Sequence, residues 1–225
     1  MSALALACGN VGDVTGSPML AERSGLEVLA VPATPGKEAL APVLADLGER
    51  RLVVIGSDAD LAAVALRLLR GERLAEIVLG YVPATGTSEV AVNWGIPLDT
   101  GRALDVALGG DADPMPLIRD DVGGVLLGMG ILGPVRGVAY CDDVQVLRGY
   151  SGRIEVRPHT PGAGLSVRVI HTGLLGKRVR QASGRAFQIG CVPTKPLSDG
   201  VRYPRTVNRW TWYRHTENLR LVRGI

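Results

Sequence analysis

Three apolar runs of strand length, LEVLAV (26–31), RLVVIG (51–56) and EIVLGYV (76–82), alternate with segments whose apolar residues recur at helical spacing. A strand with one wet face alternates apolar and polar residues. These runs are nearly continuous, so both of their faces are expected to be buried. Parallel strands need crossover connections, and the helical segments supply them. Those segments are Lys37–Leu47, Asp60–Leu69, 86–94 and 100–108, with Asp58 or Asp60 placed to cap the second. The opening MSALALAC reads as a first core strand, because it lacks a basic leader and its apolar run is short. This part of the chain is therefore expected to be α/β, with a parallel sheet covered on both faces.

After about residue 112 the texture changes. PMPLIRD (114–120) and VGGVLLGMGIL (122–132) read as strands. Short strand runs and Gly/Pro turns follow, including RIEVRP, LSVRVIHTG, AFQIGCVP, VNRWTWYR and NLRLVR. An antiparallel β-sandwich is the expected second domain, so the division falls into residues 1–112 and 113–225.

Composition narrows the classes. With 46% hydrophobic and 21% charged residues the chain is globular, and a single Phe makes its core aliphatic. No apolar stretch approaches the roughly 18 residues that span a bilayer. Cys8, Cys141 and Cys191 are far apart and form no CxxC pair, which argues against zinc and disulfides and fits a cytoplasmic setting. His159, His171 and His215 are scattered, so no metal cluster is read. The net charge of +3 hides a division: residues 1–147 carry 10 Lys+Arg and 19 Asp+Glu, and residues 148–225 carry 15 and 3. Either the oppositely charged halves attract each other, or the basic half faces anionic lipid, nucleotide phosphates or nucleic acid.

Most familiar motifs fail on inspection. Gly128–Gly133 spells GxGxxG, but Pro134 and a strand-like run follow where a dinucleotide site needs a helix N-terminus. A glycine-rich inner strand in close contact with a neighbour is the expected alternative. Gly36-Lys37 and Gly176-Lys177 lack the rest of a P-loop, and Ser88 is in no GxSxG elbow. The tail interleaves Arg202, Arg205, Arg209, Arg214, Arg220 and Arg223 with Tyr203, Trp210, Trp212 and Tyr213. A strand with one aromatic face is favoured there over nucleic-acid binding.

Two strand-to-helix turns remain, Ile55–Asp60 and GYVPATGTSEVAVNWGIP (80–97). Both fall at carboxyl ends of expected parallel strands, where open α/β sheets bind ligands. Small residues let backbone N–H groups reach phosphate oxygens, and the helix dipole adds attraction. An ordinary tight turn with a good helix cap would read the same way.

Together the pieces resemble the diacylglycerol kinase catalytic family, a relative of the NAD kinase fold. RLVVIGSDADLAAVALRLL is similar to its strand–GGDGT–helix segment, and Pro83 to Gly95-Ile96-Pro97 to its P-x-G-T-G-N-D motif with the following G-I-P. LSDGVRY near the end resembles its D-G-E loop. The resemblance implies an ATP-dependent lipid kinase acting on a lipid or other hydroxyl acceptor. Its last strand would return to the first domain. By position, Gly56, Ser57, Asp58, Thr85, Gly86, Thr87, Ser88 and Glu89 would bind nucleotide. Asp58 would hold Mg²⁺, and Asp58 and Asp199 would be catalytic, Asp199 as general base. ATP, a lipid or membrane surface and a second copy of the chain are the implied partners; nucleic acid is not. The protein would be cytoplasmic and peripheral at the membrane.

The chain departs from this pattern. Ser57 and Ala59 replace glycines and Asp60 replaces a threonine. Thr85 and Thr87 replace glycines, Ser88 an asparagine, Glu89 an aspartate, and Val201 the loop glutamate. Each added Cβ restricts backbone approach to a phosphate, and Asp60 adds negative charge there. A catalytically degenerate member that binds a nucleotide or partner is the alternative expectation.

Overall fold

The computed structural model describes residues 2–9, 11, 18–21, 23–159, 164–173 and 176–223. The chain divides into two compact units, Met1–Met115 with Glu217–Ile225, and Pro116–Thr216.

In the first unit the order is β1 (Ala3–Cys8), α1 (Pro18–Ala21), β2 (Leu26–Val31), α2 (Lys37–Ala45), β3 (Arg51–Gly56), α3 (Asp58–Arg70), β4 (Val78–Pro83), α4 (Glu89–Trp94) and α5 (Thr100–Gly109). The four strands are parallel, in the order β2-β1-β3-β4. Every residue of β1 is buried, and Leu52–Gly56 of β3 and Leu79–Pro83 of β4 are buried as expected, but LEVLAV is not: β2 is the edge strand, only Val31 of it is buried, and Leu29 is 38% exposed. Helix α3 buries Leu61, Val64, Ala65 and Leu68, one stripe at i, i+3, i+4 and i+7. Helix α5 lies close to β4 because residue 80 is glycine; a Cβ there would come within 2.8 Å of the Ala107 carbonyl. The Arg51 guanidinium donates to the last carbonyls of α5, Ala107 O at 3.0 Å and Leu108 O at 2.8 Å.

Strand β5 (Ala112–Asp120) runs from the first unit into the second. There follow β6 (Val125–Leu126), β7 (Gly130–Leu132), β8 (Val135–Cys141), β9 (Val144–Ser151), β10 (Arg153–His159), β11 (Gly164–Gly173), β12 (Gly176–Gly184), β13 (Ala186–Thr194), β14 (Leu197–Ser198), β15 (Val201–Arg202) and β16 (Val207–Val222). One antiparallel sheet of this unit runs β16-β13-β8-β9, and another runs β12-β11-β10-β7-β14-β15. Their facing residues form one core, with Phe187, Ile189, Trp210 and Trp212 from the first sheet and Ile154, Val156, Leu165 and Val167 from the second. This is the expected sandwich. The tail is a strand with buried Trp210 and Trp212 and an exposed Arg209.

Strand β16 is 16 residues long, and its end belongs to the first unit. Arg220 and Leu221 pair there with Val78 and Leu79 of β4, in parallel. The single strand expected over 122–132 is two short ones, β6 and β7. The amides of Leu127, Gly128 and Met129 between them donate to the Asp199 carboxylate and leave the ladder. The GxGxxG stretch holds no helix. A Cβ on Gly130 would lie 2.8 Å from the Trp212 ring, and one on Gly133 would lie 2.6 Å from the Gly152 carbonyl. These glycines serve close packing.

Candidate functional site

The two turns meet at the carboxyl ends of β3 and β4. Ser57 caps α3 and completes a capping box with Asp60, so the cap is Ser57 where Asp58 or Asp60 was expected, and Asp60 takes the N3 place of the box. The Ser57 hydroxyl donates to Asp60 Oδ2 at 2.7 Å, and the Ser57 amide donates to the same oxygen at 2.8 Å. Asp60 Oδ1 accepts the amide of Thr34 at 2.6 Å, from the segment after β2. Thr34 has φ +44°, in the left-handed region. Asp60 is only 4% exposed. A Cβ on Gly56 would lie 2.6 Å from Asp60 Oδ2, so the glycine makes room for this carboxylate.

Asp58 is the first residue of α3, and its side chain crosses to the second turn. Asp58 Oδ2 accepts the amides of Glu89 at 2.8 Å and Val90 at 3.2 Å, at the start of α4. Oδ1 accepts the hydroxyls of Ser88 at 2.5 Å and Tyr81 at 2.9 Å. Ser88 in turn caps α4, accepting the Ala91 amide at 2.9 Å. Burial, and then the charge of Asp58, push the Tyr81 phenol well above its ordinary range, so it stays a donor. Cys8 at the end of β1 is pushed up to about 12 by burial and then by Asp60, which keeps it a neutral thiol.

The structure thus brings together Gly56, Ser57, Asp58, Ser88 and Glu89. Thr85, Gly86 and Thr87 form the exposed apex of their turn, where the Thr85 hydroxyl donates to the Thr87 carbonyl at 2.7 Å. Tyr81 and Thr34 escaped the sequence reading. Tyr81 sits in a strand that looked purely structural, and Thr34 acts through its backbone, which no side-chain pattern reveals.

Asp199 lies in the second unit, in the turn between β14 and β15, with φ +47° and 7% exposure. Its Oδ1 accepts the amides of Gly128 at 2.7 Å and Met129 at 3.0 Å, and its Oδ2 that of Leu127 at 2.8 Å. The Asp199 amide donates back to the Met129 carbonyl at 3.1 Å. A carboxylate offers about four lone-pair sites, so these three donors leave little room to accept a substrate proton.

Phosphate and Mg²⁺ can be tested against these residues. A helix N-terminus binds phosphate when its amides point at the ligand. Here the amides of Thr34, Ser57, Glu89 and Val90 already point at Asp60 and Asp58. Mg²⁺ needs carboxylate oxygens free to face it. Asp58 gives its oxygens to four protein donors, and among the described residues no group of three His, Cys, Asp or Glu is placed to hold a metal. The residues present do not fit the metal.

The α/β unit and the antiparallel sandwich match the two-domain fold of solved diacylglycerol kinase and NAD kinase structures. The chain is similar to a diacylglycerol kinase from Bacillus anthracis str. Sterne, with a TM-score of 0.67 and 12% identity over 99% of this chain and 97% of that one. It is also similar to an NAD kinase from Archaeoglobus fulgidus, solved in complex with ATP, with a TM-score of 0.60 and 13% identity over 98% and 93%. No family model and no curated protein matches it. The resemblance carried by the sequence motifs therefore holds at the level of the fold. No helix among the described residues is long and apolar enough to cross a membrane.

Proposed function

We infer that this chain is a catalytically degenerate protein on the kinase fold, acting as a binding module and transferring no phosphate. One observation carries the reading: carboxylates of the chain itself take the backbone donors at both turns. A nucleotide triphosphate approaching them meets Asp58, Asp60 and Glu89, where a phosphate site would offer free amides. Isothermal titration with Mg²⁺–ATP is expected to give no heat at millimolar nucleotide, and radiolabel transfer to a lipid mixture to give no product. Saturable binding together with a labelled product that Asp199→Asn abolishes, in a variant with unchanged circular dichroism, overturns it.

A second reading, an ATP-dependent kinase for a lipid or other hydroxyl acceptor, is favoured by the likeness to kinases over nearly the whole chain. It requires Asp58 to release its four donors before it could meet a metal. The same two measurements separate the readings.

A further inference from the structure

The arginine and aromatic residues of the tail divide between two faces of β16. Trp210 and Trp212 belong to the sandwich core, so strand alternation turns Arg209, Thr211 and Tyr213 to the outer face of the sheet β16-β13-β8-β9. The same alternation turns Arg136, Val138 and Tyr140 of β8 outward, with Arg148 and Tyr150 of β9. The register sets these residues side by side. Arg209 faces Gly190 of β13, Gly190 faces Val138, and Val138 faces Arg148. In the next row Thr211 faces Gln188, Gln188 faces Tyr140, and Tyr140 faces Gln145. Tyr213 stands one row further on, opposite Ala186, and at the other end Tyr150 faces Arg136.

One face of one sheet therefore carries three cations and three rings. Arg136, Arg148 and Arg209 are exposed, and among the described residues none of them has an ion-pair partner. Tyr150 is 57% exposed and Tyr140 36%, while Tyr213 is half-buried. None of the outward residues in these rows is acidic. Acids lie beside the face: Asp142 and Asp143 in the turn after β8, the former accepting the Arg185 and Ala186 amides, and Asp121, which lines a cleft with Arg209. The centre of the face is open, because a Cβ on Gly190 would meet nothing within 4 Å. With strands about 4.8 Å apart and residues about 3.4 Å apart along them, Tyr140 stands about 12 Å from Tyr213 and about 14 Å from Tyr150, on one diagonal.

Solvation of an exposed sheet asks only for polar residues, of either sign. A second copy of the chain seated face to face here would bring six unpaired guanidinium groups together, and like charges across an interface repel. Unpaired nucleotides match both features. Their bases stack on rings presented by a flat sheet, and their phosphates take cations placed along the path. Arginine suits both, since its planar guanidinium stacks as well as pairs with phosphate. We propose that the outer face of the sheet β16-β13-β8-β9 binds single-stranded nucleic acid, with Tyr213, Tyr140 and Tyr150 as base platforms and Arg209, Arg148 and Arg136 as phosphate contacts. The face lies wholly in the second unit and serves whether or not the first unit binds nucleotide.

The experiment is fluorescence anisotropy of the full chain with labelled twelve-nucleotide oligouridylate, oligothymidylate and a twelve-base-pair duplex. Saturable binding to single strands is expected, tighter than to the duplex. Binding of either single strand supports the proposal, and the tighter one identifies the sugar. The logarithm of affinity should fall against the logarithm of salt with a slope of about −2, from about −0.7 for each of three phosphate contacts. The triple variant Arg136→Ala/Arg148→Ala/Arg209→Ala should flatten that slope. Tyr140→Ala and Tyr150→Ala should each weaken binding about tenfold, within the cost of losing one stacked base, while Tyr140→Phe keeps the ring and binds as the parent does. Gly190→Glu places a carboxylate in open space, so it should keep the parent's circular dichroism and lose binding, with Gly190→Gln losing less. Arg102→Ala, which removes an exposed cation of the first unit, should bind as the parent does. No binding to either single strand, a duplex held as tightly, or a triple, alanine or Gly190→Glu variant that binds like the parent each overturn the proposal. So does tighter retention of the parent on anionic vesicles than on single strands.

Discussion

Asp58 stands where the sequence resemblance places a metal and nucleotide ligand, and its contacts make it a structural tie between two turns. The two roles predict opposite effects on stability. A carboxylate held ready for a ligand in a negatively charged site strains the fold, and its removal is commonly neutral or stabilising. A carboxylate that accepts from two helix-start amides and two hydroxyls takes their shared acceptor away when removed, and leaves the Tyr81 hydroxyl the Gly56 carbonyl at 3.2 Å. Asp58→Ala should therefore cost about 3 kcal/mol in urea unfolding, the range for breaking a charge-assisted buried network. Tyr81→Phe should cost about 1 kcal/mol, since it removes one donor and keeps the ring. An Asp58→Ala variant as stable as the parent would return that residue to the ligand role. The sequence made Asp58 and Asp60 visible as helix-start acids. It could not show what they accept from, because Ser88, Glu89 and Val90 are about thirty residues along the chain from Asp58 and Thr34 gives only an amide.

At the level of elements, β1, β3 and β4 were legible because burial on both faces writes a short continuous apolar run, while β2 carries the same text and lies at the sheet edge with most of its residues outside the core. The sandwich strands were legible as short runs between turns, but their breaks were not. The interruption between β6 and β7 depends on Asp199, some seventy residues away in sequence. The glycines there look like a ligand fingerprint and serve packing. Gly130→Ala should place a methyl against the Trp212 ring and destabilise the second unit by about 2 kcal/mol, the usual cost of overpacking. Near-UV circular dichroism should change as the tryptophan shifts; a variant with parent-like spectrum and stability counts against the packing role. The hairpin joining β5 and β6 carries a pH signal. Burial, as the largest cause, raises the Asp120 carboxyl above its ordinary value, while hydrogen bonds from Gly124 and Val122 pull the other way. A carboxyl raised in the folded state gives stability that is full below its unfolded pKa and lost as pH rises through the folded one. Parent stability relative to Asp120→Asn should therefore fall as pH rises from the ordinary aspartate range upward. A difference that stays flat with pH sinks this assignment.

The whole chain is not two beads in sequence, because the last strand serves both units. Residues 207–216 complete the antiparallel sheet of the second unit, and 217–222 belong to the first, where Arg220 and Leu221 pair with Val78 and Leu79. The family resemblance raised this return; the sequence pattern gives two strand runs near the end, VNRWTWYR and NLRLVR, where the structure has the single strand β16, and it gives no hint that one strand serves two sheets. The consequence is that the stability of an N-terminal unit depends on residues more than a hundred positions beyond its last helix. Leu219 and Leu221 are each 1% exposed. Leu219→Ala and Leu221→Ala should each cost about 3 kcal/mol, within the range for leucine truncation in a core. Their sites share one short strand segment, so the double variant need not be additive. Hydrogen exchange reads where the loss falls: amides of β1, β3 and β4 should exchange faster in the double variant, with those of β10 and β11 less affected. If protection falls in β10 and β11 while β3 and β4 keep theirs, the strand end does not hold the parallel sheet together.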